Sequence, residues 1–204
     1  MSWKSQAGQD EWVLKMFSYY PTTGFFVDLG AYDGVEHSNT WTLEQEYGWH
    51  GICVEANPDY FKALTKNRPT AHNINAAVTA SEGQVHFLGQ NITASTEAPI
   101  VRCAPLQTLL AEAKAPYTID YLSVDIEGLE FDVLEAFNFA AYMVKLITVE
   151  HNLYCEGPAN KDRLFDLLTH RGFTRVVEDA PCLDTAYFGL PYEDWYCNQA
   201  FFSL

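Results

Sequence analysis

The stretch Gly24-Phe-Phe-Val-Asp-Leu-Gly-Ala-Tyr-Asp-Gly34 decides the fold class. Phe25 to Leu29 is a short apolar run of the kind that forms a buried strand, and Gly30 and Gly34 close it in a tight turn. The pattern recurs along the chain. Gly51-Ile-Cys-Val-Glu55 reads as a second strand, Ile74–Val78 as a third, and Val85–Leu88 as a further short one. Ile119–Asp125 is a fourth main strand and Leu146–Val149 a fifth. Helical segments alternate with them. Thr40–Tyr47 is closed by Gly48, and Asn57-Pro58 caps a helix whose apolar stripe is Tyr60, Phe61 and Leu64. Further helices are expected at Leu106–Ala113, around Leu129, Val133, Leu134 and Phe137, and from Asn160 to Arg171, where Gly172 ends the run. Phe173–Val177 and a segment around Trp195 read as late antiparallel strands, while Gln90–Pro99 has no pattern and reads as a loop.

Strands alternating with helices require right-handed crossovers, hence a mainly parallel sheet covered on both faces. In such a sheet a ligand sits outside the carboxyl ends of the strands. The polar residues at those ends are Asp28, Glu55, Asp125, Glu150 and His151.

Bulk properties narrow the classes. The 204 residues are 48% hydrophobic and 15% aromatic, enough for one core, so a single domain over 1–204 is expected. The net charge of -15, from 12 Lys+Arg against 27 Asp+Glu, disfavours nucleic acid and anionic membranes as partners. The five cysteines are widely spaced without a C-x-x-C pair and read as reduced thiols. The start carries no apolar leader and no run is long enough for a membrane span, so a cytoplasmic location is expected.

The turn is a poor phosphate site. A dinucleotide turn needs G-x-G-x-x-G, and here Asp28 and Asp33 would repel phosphate. S-adenosylmethionine fits better, because its sulfonium and ammonium are cations and it has no phosphate. Glu55, ending the second strand, is placed to accept both ribose hydroxyls.

These residues, with Ser5-Gln-Ala-Gly-Gln-Asp10, Ser38-Asn-Thr40, Gly48–Pro58, Ile119–Gly128, Val149–Asn152 and Glu193-Asp-Trp195, resemble the FkbM-type methyltransferases. The resemblance implies a Rossmann-like class I fold: a mainly parallel seven-stranded sheet with an antiparallel late strand and helices on both faces. It differs at Tyr32, where the family more often has Asn, and at Gln9, where it has an acidic residue. By resemblance, Gly30, Ala31, Tyr32, Asp33 and Gly34 pass under the methionyl group, and Asp28 or Asp33 reaches its ammonium. Ser38, Asn39 and Thr40 hold its carboxylate, and Glu55 takes the ribose. Ala56, Asn57, Asn75 and Ala76 flank the adenine, and Gln6 belongs to an N-terminal segment, 1–20, that folds over the cofactor.

The expected reaction is in-line methyl transfer to a hydroxyl of a small acceptor, a sugar or similar polar molecule. Asp125, Glu127 and His151 are the candidate catalytic groups, His151 as a base titrating near neutrality. Asp125 also stands among the cofactor contacts. Asp125, Glu150 and His151 form a candidate site for Mg²⁺ or Mn²⁺. The late aromatics Tyr187, Phe188, Tyr192 and Trp195 have two equal readings, as the lining of an acceptor pocket or as a late hairpin packing on the sheet. The competing classes are a nicotinamide-dependent oxidoreductase and a non-catalytic module that keeps the pocket without the reaction.

Overall fold

A computed structural model describes residues 3–18, 23–153, 157–184 and 187–202. In chain order the elements are Gln9–Met16 (α1), Phe25–Leu29 (β1), Trp41–Tyr47 (α2), His50–Glu55 (β2), Pro58–Asn67 (α3), His72–Asn75 (β3), Ala77–Val78 (β4), Gly83–Leu88 (β5), Asn91–Thr93 (β6), Ile100–Ala104 (β7), Leu106–Glu112 (α4), Thr118–Val124 (β8), Glu130–Ala136 (α5), Met143–Glu150 (β9), Pro158–His170 (α6), Phe173–Pro181 (β10) and Pro191–Asn198 (β11).

The main sheet has seven strands in the order β10-β11-β9-β8-β1-β2-β3. All neighbours pair in parallel except β11, which is antiparallel to both β9 and β10. Strand order reverses between β1 and β8, and that switch point is where a crevice opens at the carboxyl ends.

The period-two alternation of the strands builds two cores. Val27, Ile52, Leu122 and Ile147 face one side with Leu109 of α4, Leu134 of α5 and Leu164 of α6. Their neighbours Phe26, Cys53, Tyr121 and Leu146 face the other, against Val13 of α1, Leu43 of α2 and Leu64 of α3. Such double coverage explains why the central strands read as continuous apolar runs. The α3 cap forms as its sequence dictates, with the Asn57 side chain accepting from the N–H groups of Asp59 and Tyr60 ahead of Pro58.

Two expectations change, and for Trp195 one of two readings is selected. The run Ile74–Val78 is not one strand: β3 stops at Asn75, and Ala77–Val78 joins a second sheet of order β4-β7-β5-β6. Asn75 marks the break because its Nδ2 donates to Glu55 O at 2.8 Å and Ala56 O at 3.0 Å, which ties it to the end of β2. Val85–Leu88 therefore belongs to this smaller sheet. Part of Gln90–Pro99 is ordered pairing, since Phe87 and Leu88 of β5 stand opposite Ile92 and Asn91 of β6. Trp195 packs on Trp12, ring centroids 4.9 Å apart, and belongs to the core. Tyr19-Tyr20-Pro21, whose residue types read as a turn at the edge of the core, lies outside the described residues. Cys53, Cys103, Cys182 and Cys197 are buried free thiols. Among the described residues no helix is long and apolar enough to cross a membrane.

Candidate active site

A cavity of about 420 Å³ opens at the switch point. Gly30 allows it to form. Its φ of 82° is left-handed, and a Cβ there would stand 1.8 Å from the Asp125 carbonyl oxygen. Only glycine lets the turn after β1 close this tightly on the end of β8. Ala31 and Tyr32 continue along the wall, and Ala56 and Ala76 line it from the ends of β2 and β3.

Glu55 sits beside that turn. Its Oε2 accepts from Tyr32 N–H at 2.9 Å and its Oε1 from Asn57 N–H at 2.6 Å. The Ala56 backbone N–H also reaches this carboxyl, which lines the cavity. Burial pushes its pKa up to about 7, against the opposing pull of these backbone donors. Tyr32 adopts φ 51°, a left-handed conformation that asparagine tolerates better, and its bond to Glu55 holds it there. Its ring lies 4.2 Å from that of Tyr60, and both line the cavity.

The segment Gly34–Thr40 is held from behind by Arg68, a fully buried cation that the sequence did not single out. Its guanidinium pairs with Glu44 and donates to Gly34 O, Ser38 Oγ and Thr40 Oγ1, each at 3.2 Å. Thr40 in turn donates to Asp28 Oδ2 at 2.6 Å. Asp28 and Ser38 line the cavity, whereas Thr40 stands behind Asp28. Burial raises the Asp28 pKa. Asn39 also lines the cavity. Its Nδ2 donates to Ser123 Oγ at 2.9 Å, and its Oδ1, in a residue only 7% exposed, has no hydrogen-bond partner.

The far side of the cavity is acidic. Asp125, Glu127 and Glu150 line it with Tyr192. Tyr192 Oη shares its one proton between Asp125 Oδ2, at 2.5 Å, and the more distant Gln6 Oε1, at 3.1 Å, so the N-terminal segment closes this end. Burial, then the neighbouring Asp125 carboxyl, holds the Glu150 pKa well above the carboxylate range. Glu130 shapes the Asp125–Gly128 turn. It accepts from Ile126 N–H and Gly128 N–H, both at 3.0 Å, with Glu127 at φ 58° between them. Among the described residues, no lysine or arginine lines the cavity.

The Methyltransferase FkbM domain family matches residues 28–174. The chain belongs to this family. No curated protein matches the chain. Solved structures show the same fold at low identity. The O-methyltransferase from Bacillus cereus in complex with S-adenosylhomocysteine is 10% identical, with TM-score 0.58, covering 93% of this chain and 80% of that one. The METTL16 methyltransferase domain is 11% identical, with TM-score 0.57, covering 92% of this chain and 64% of that one. The chain thus spans slightly under two thirds of that domain. TrmK of M. capricolum, in complex with S-adenosyl-homocysteine, is 11% identical, with TM-score 0.51, covering 93% of this chain and 66% of that one. The FkbM domain thus has the class I methyltransferase fold.

Several residues singled out in the FkbM domain's sequence lie outside the cavity. Asp33 caps its own turn, with Oδ1 accepting from Val35 and Glu36 N–H at 2.8 Å each. Gly34 packs against Arg68 and Leu64, Asn57 caps α3, and Asn75 closes β2. His151 points away from the cavity. Strand neighbours project to opposite faces, so when Glu150 faces the site, His151 faces away. Its Nε2 is 3.3 Å from Asp179 Oδ1 and 3.6 Å from Asp194 Oδ1. Its Nδ1 accepts from Leu153 N–H at 3.3 Å, which places the ring proton on Nε2. Burial lowers its pKa.

The expected cation ligands are therefore divided, with Asp125 and Glu150 on the cavity and His151 elsewhere. His151, Asp179 and Asp194 do bring ligand atoms within 4.8 Å of one another. That cluster already has cations: Lys161 Nζ lies 2.7 Å from Asp179 Oδ2, and Arg175 Nη1 lies 2.9 Å from Asp194 Oδ2. With the imidazole proton on Nε2, the donor set does not suit a metal.

Glu193, beside this network, supplies a pH test. It is 1% exposed, Trp195 Nε1 donates to it, and burial pushes its pKa up to about 8. A raised carboxyl pKa favours the protonated fold. Its stability contribution is therefore full below the unfolded value and is lost as pH rises through about 8. Glu193→Gln keeps an acceptor for the indole and removes the titration. Urea unfolding should show the variant gaining on the wild type by at least ~1.4 kcal/mol, one pKa unit's worth, between about pH 5.5 and about pH 9. An unchanged difference would mean that the carboxyl is not perturbed.

Proposed function

We propose that the chain is an S-adenosylmethionine-dependent O-methyltransferase acting on a hydroxyl of a small polar acceptor such as a sugar. The observation that carries this reading is the cavity at the switch point. It is lined by carboxyls from the ends of β1, β2, β8 and β9 and, among the described residues, by no lysine or arginine. A phosphate-bearing cofactor would be repelled there, whereas a cofactor with a sulfonium and an ammonium would be attracted. The residues fit that cofactor. Glu55 offers two acceptor oxygens to a ribose diol, and the partnerless Asn39 Oδ1 suits an ammonium N–H.

When bound, S-adenosylmethionine supplies an electrophilic methyl group on a good leaving group. The protein's part is to hold the acceptor oxygen in line at about 3 Å and take its proton. Asp125 is placed for this, with Tyr192 fixing one carboxyl oxygen and Glu150 beside it. Burial and the Asp125 carboxyl favour the protonated form of Glu150, and Tyr192 and Glu150 both stand against Asp125 at the cavity wall.

Calorimetry with S-adenosylhomocysteine and with NADH tests the cofactor. Binding of the first and not the second is expected, and the reverse would sink the proposal. Glu55→Ala removes the ribose acceptor and the tether of Tyr32 and Asn57, so affinity for S-adenosylhomocysteine should fall at least ~tenfold, the value of one charge-assisted hydrogen bond.

A further inference from the structure

We propose that the acceptor is an uncharged amphiphile: a polar head carries the reacting hydroxyl into the cavity, and an apolar arm lies across the tip joining β10 to β11. This deepens the methyltransferase reading above and rests on it. The tip carries four large apolar residues that stay in solvent. Leu183 is 53% exposed, Tyr187 51%, Phe188 72% and Leu190 40%. Such a concentration on one short segment is unusual for a surface loop and marks a contact surface.

The patch is continuous with the cavity. Tyr187 and Leu190 line it, while Leu183 and Phe188, beside them on the tip, are exposed and do not. The tip is also fastened to the proposed reacting end. Leu183 N–H donates to Gln6 O at 2.6 Å, and Gln6 Oε1 accepts from Tyr192 Oη, which also contacts Asp125. A molecule with its hydroxyl at Asp125 and a tail leading outward would pass Gln6 and meet these four side chains. The polar head thus meets polar groups and the tail meets apolar ones, the usual division of labour in a ligand site.

Charge selects against other occupants. Asp184 sits on the tip, paired with His37 at 3.0 Å, and Glu36 lines the same cavity. The chain carries a net charge of -15. An anionic lipid surface would be repelled, as would an acceptor bearing phosphate or carboxylate.

The test uses methyl, hexyl and octyl β-D-glucosides below their micellar concentrations, with octyl β-D-glucuronide as the anionic counterpart. Each is titrated into the full chain saturated with S-adenosylhomocysteine and followed by NMR shift perturbation. A fully covered methylene is worth roughly fourfold in affinity, so octyl should bind at least ~tenfold more tightly than methyl even on a half-open rim. The glucuronide should bind at least ~tenfold more weakly than octyl glucoside. The double variant Leu183→Ser with Phe188→Ser should abolish the octyl advantage and leave S-adenosylhomocysteine affinity unchanged. The proposal falls if chain length has no effect, if the glucuronide binds as well, or if the variant keeps the advantage. It also falls if sedimentation shows a wild-type dimer that the variant dissolves, because the patch would then be a subunit interface. Loss of S-adenosylhomocysteine binding in the wild type would instead sink the cofactor assignment, so the two failures are distinguishable.

Discussion

Asp125→Asn should lower turnover by about 10²–10⁴-fold on any acceptor that the wild type methylates, the usual contribution of a positioned general base. The asparagine is nearly isosteric and can still accept from Tyr192 Oη, so the 2.5 Å contact that orients the side chain has a replacement. What disappears is the basic lone pair that takes the acceptor proton. The ribose contact assigned to Glu55 is untouched, so any loss of S-adenosylhomocysteine affinity should be far smaller than the loss of turnover. The loss should therefore appear in kcat. Steady-state release of S-adenosylhomocysteine, paired with calorimetry, separates the two quantities. Turnover within about tenfold of the wild type would remove Asp125 from the role of base. His151→Ala is the control: its ring faces Asp179 and Asp194 away from the cavity, so kcat on folded protein should be nearly unchanged.

Arg68→Ala should destabilise the fold by about 3–5 kcal/mol, the cost of leaving one member of a buried ion pair without its partner. Arg68 is 0% exposed and Glu44 7%, so the stranded carboxylate would stay buried without its cation. The same guanidinium also holds Gly34, Ser38 and Thr40, so the loss reaches the cavity wall and should weaken S-adenosylhomocysteine binding as well. Lysine is a poor replacement because one ammonium cannot reproduce the fork that reaches both Glu44 and the loop. Adding Glu44→Gln to Arg68→Ala should recover part of the stability, since the uncompensated charge is then gone. Urea denaturation measures both. A single variant within about 1 kcal/mol of the wild type would show that the pair is not what supports the loop.

The features legible in the sequence were those set by neighbours along the chain. The apolar run ending at Leu29, the Asn57-Pro58 cap and the strand-end acids each announce themselves locally. Asp28, Glu55 and Asp125 converge on the cavity because parallel strands deliver their carboxyl ends to one edge. A pair of glutamates around Gly128, Glu127 and Glu130, was a signal of a clasped turn, since a carboxylate two residues after a glycine can reach back to its N–H.

The remainder depended on contacts between distant segments. Nothing near Arg68 in sequence marks it as the support of residues 34–40, because its partners are 24 to 34 positions away. The second sheet was hidden for a related reason: its strands are short and partly exposed, and the Asn75 side chain that detaches β4 from β3 is bonded to the end of β2. Tyr192 meets Asp125 across 67 positions. The sequence by itself determined the layered fold, the strand-end acids and the turn conformation at Gly30, because periodicity and local sterics suffice for those. Only the tertiary structure decided which acids share the cavity, which are merely caps, and that His151 turns away, because burial and pairing are properties of neighbours in space.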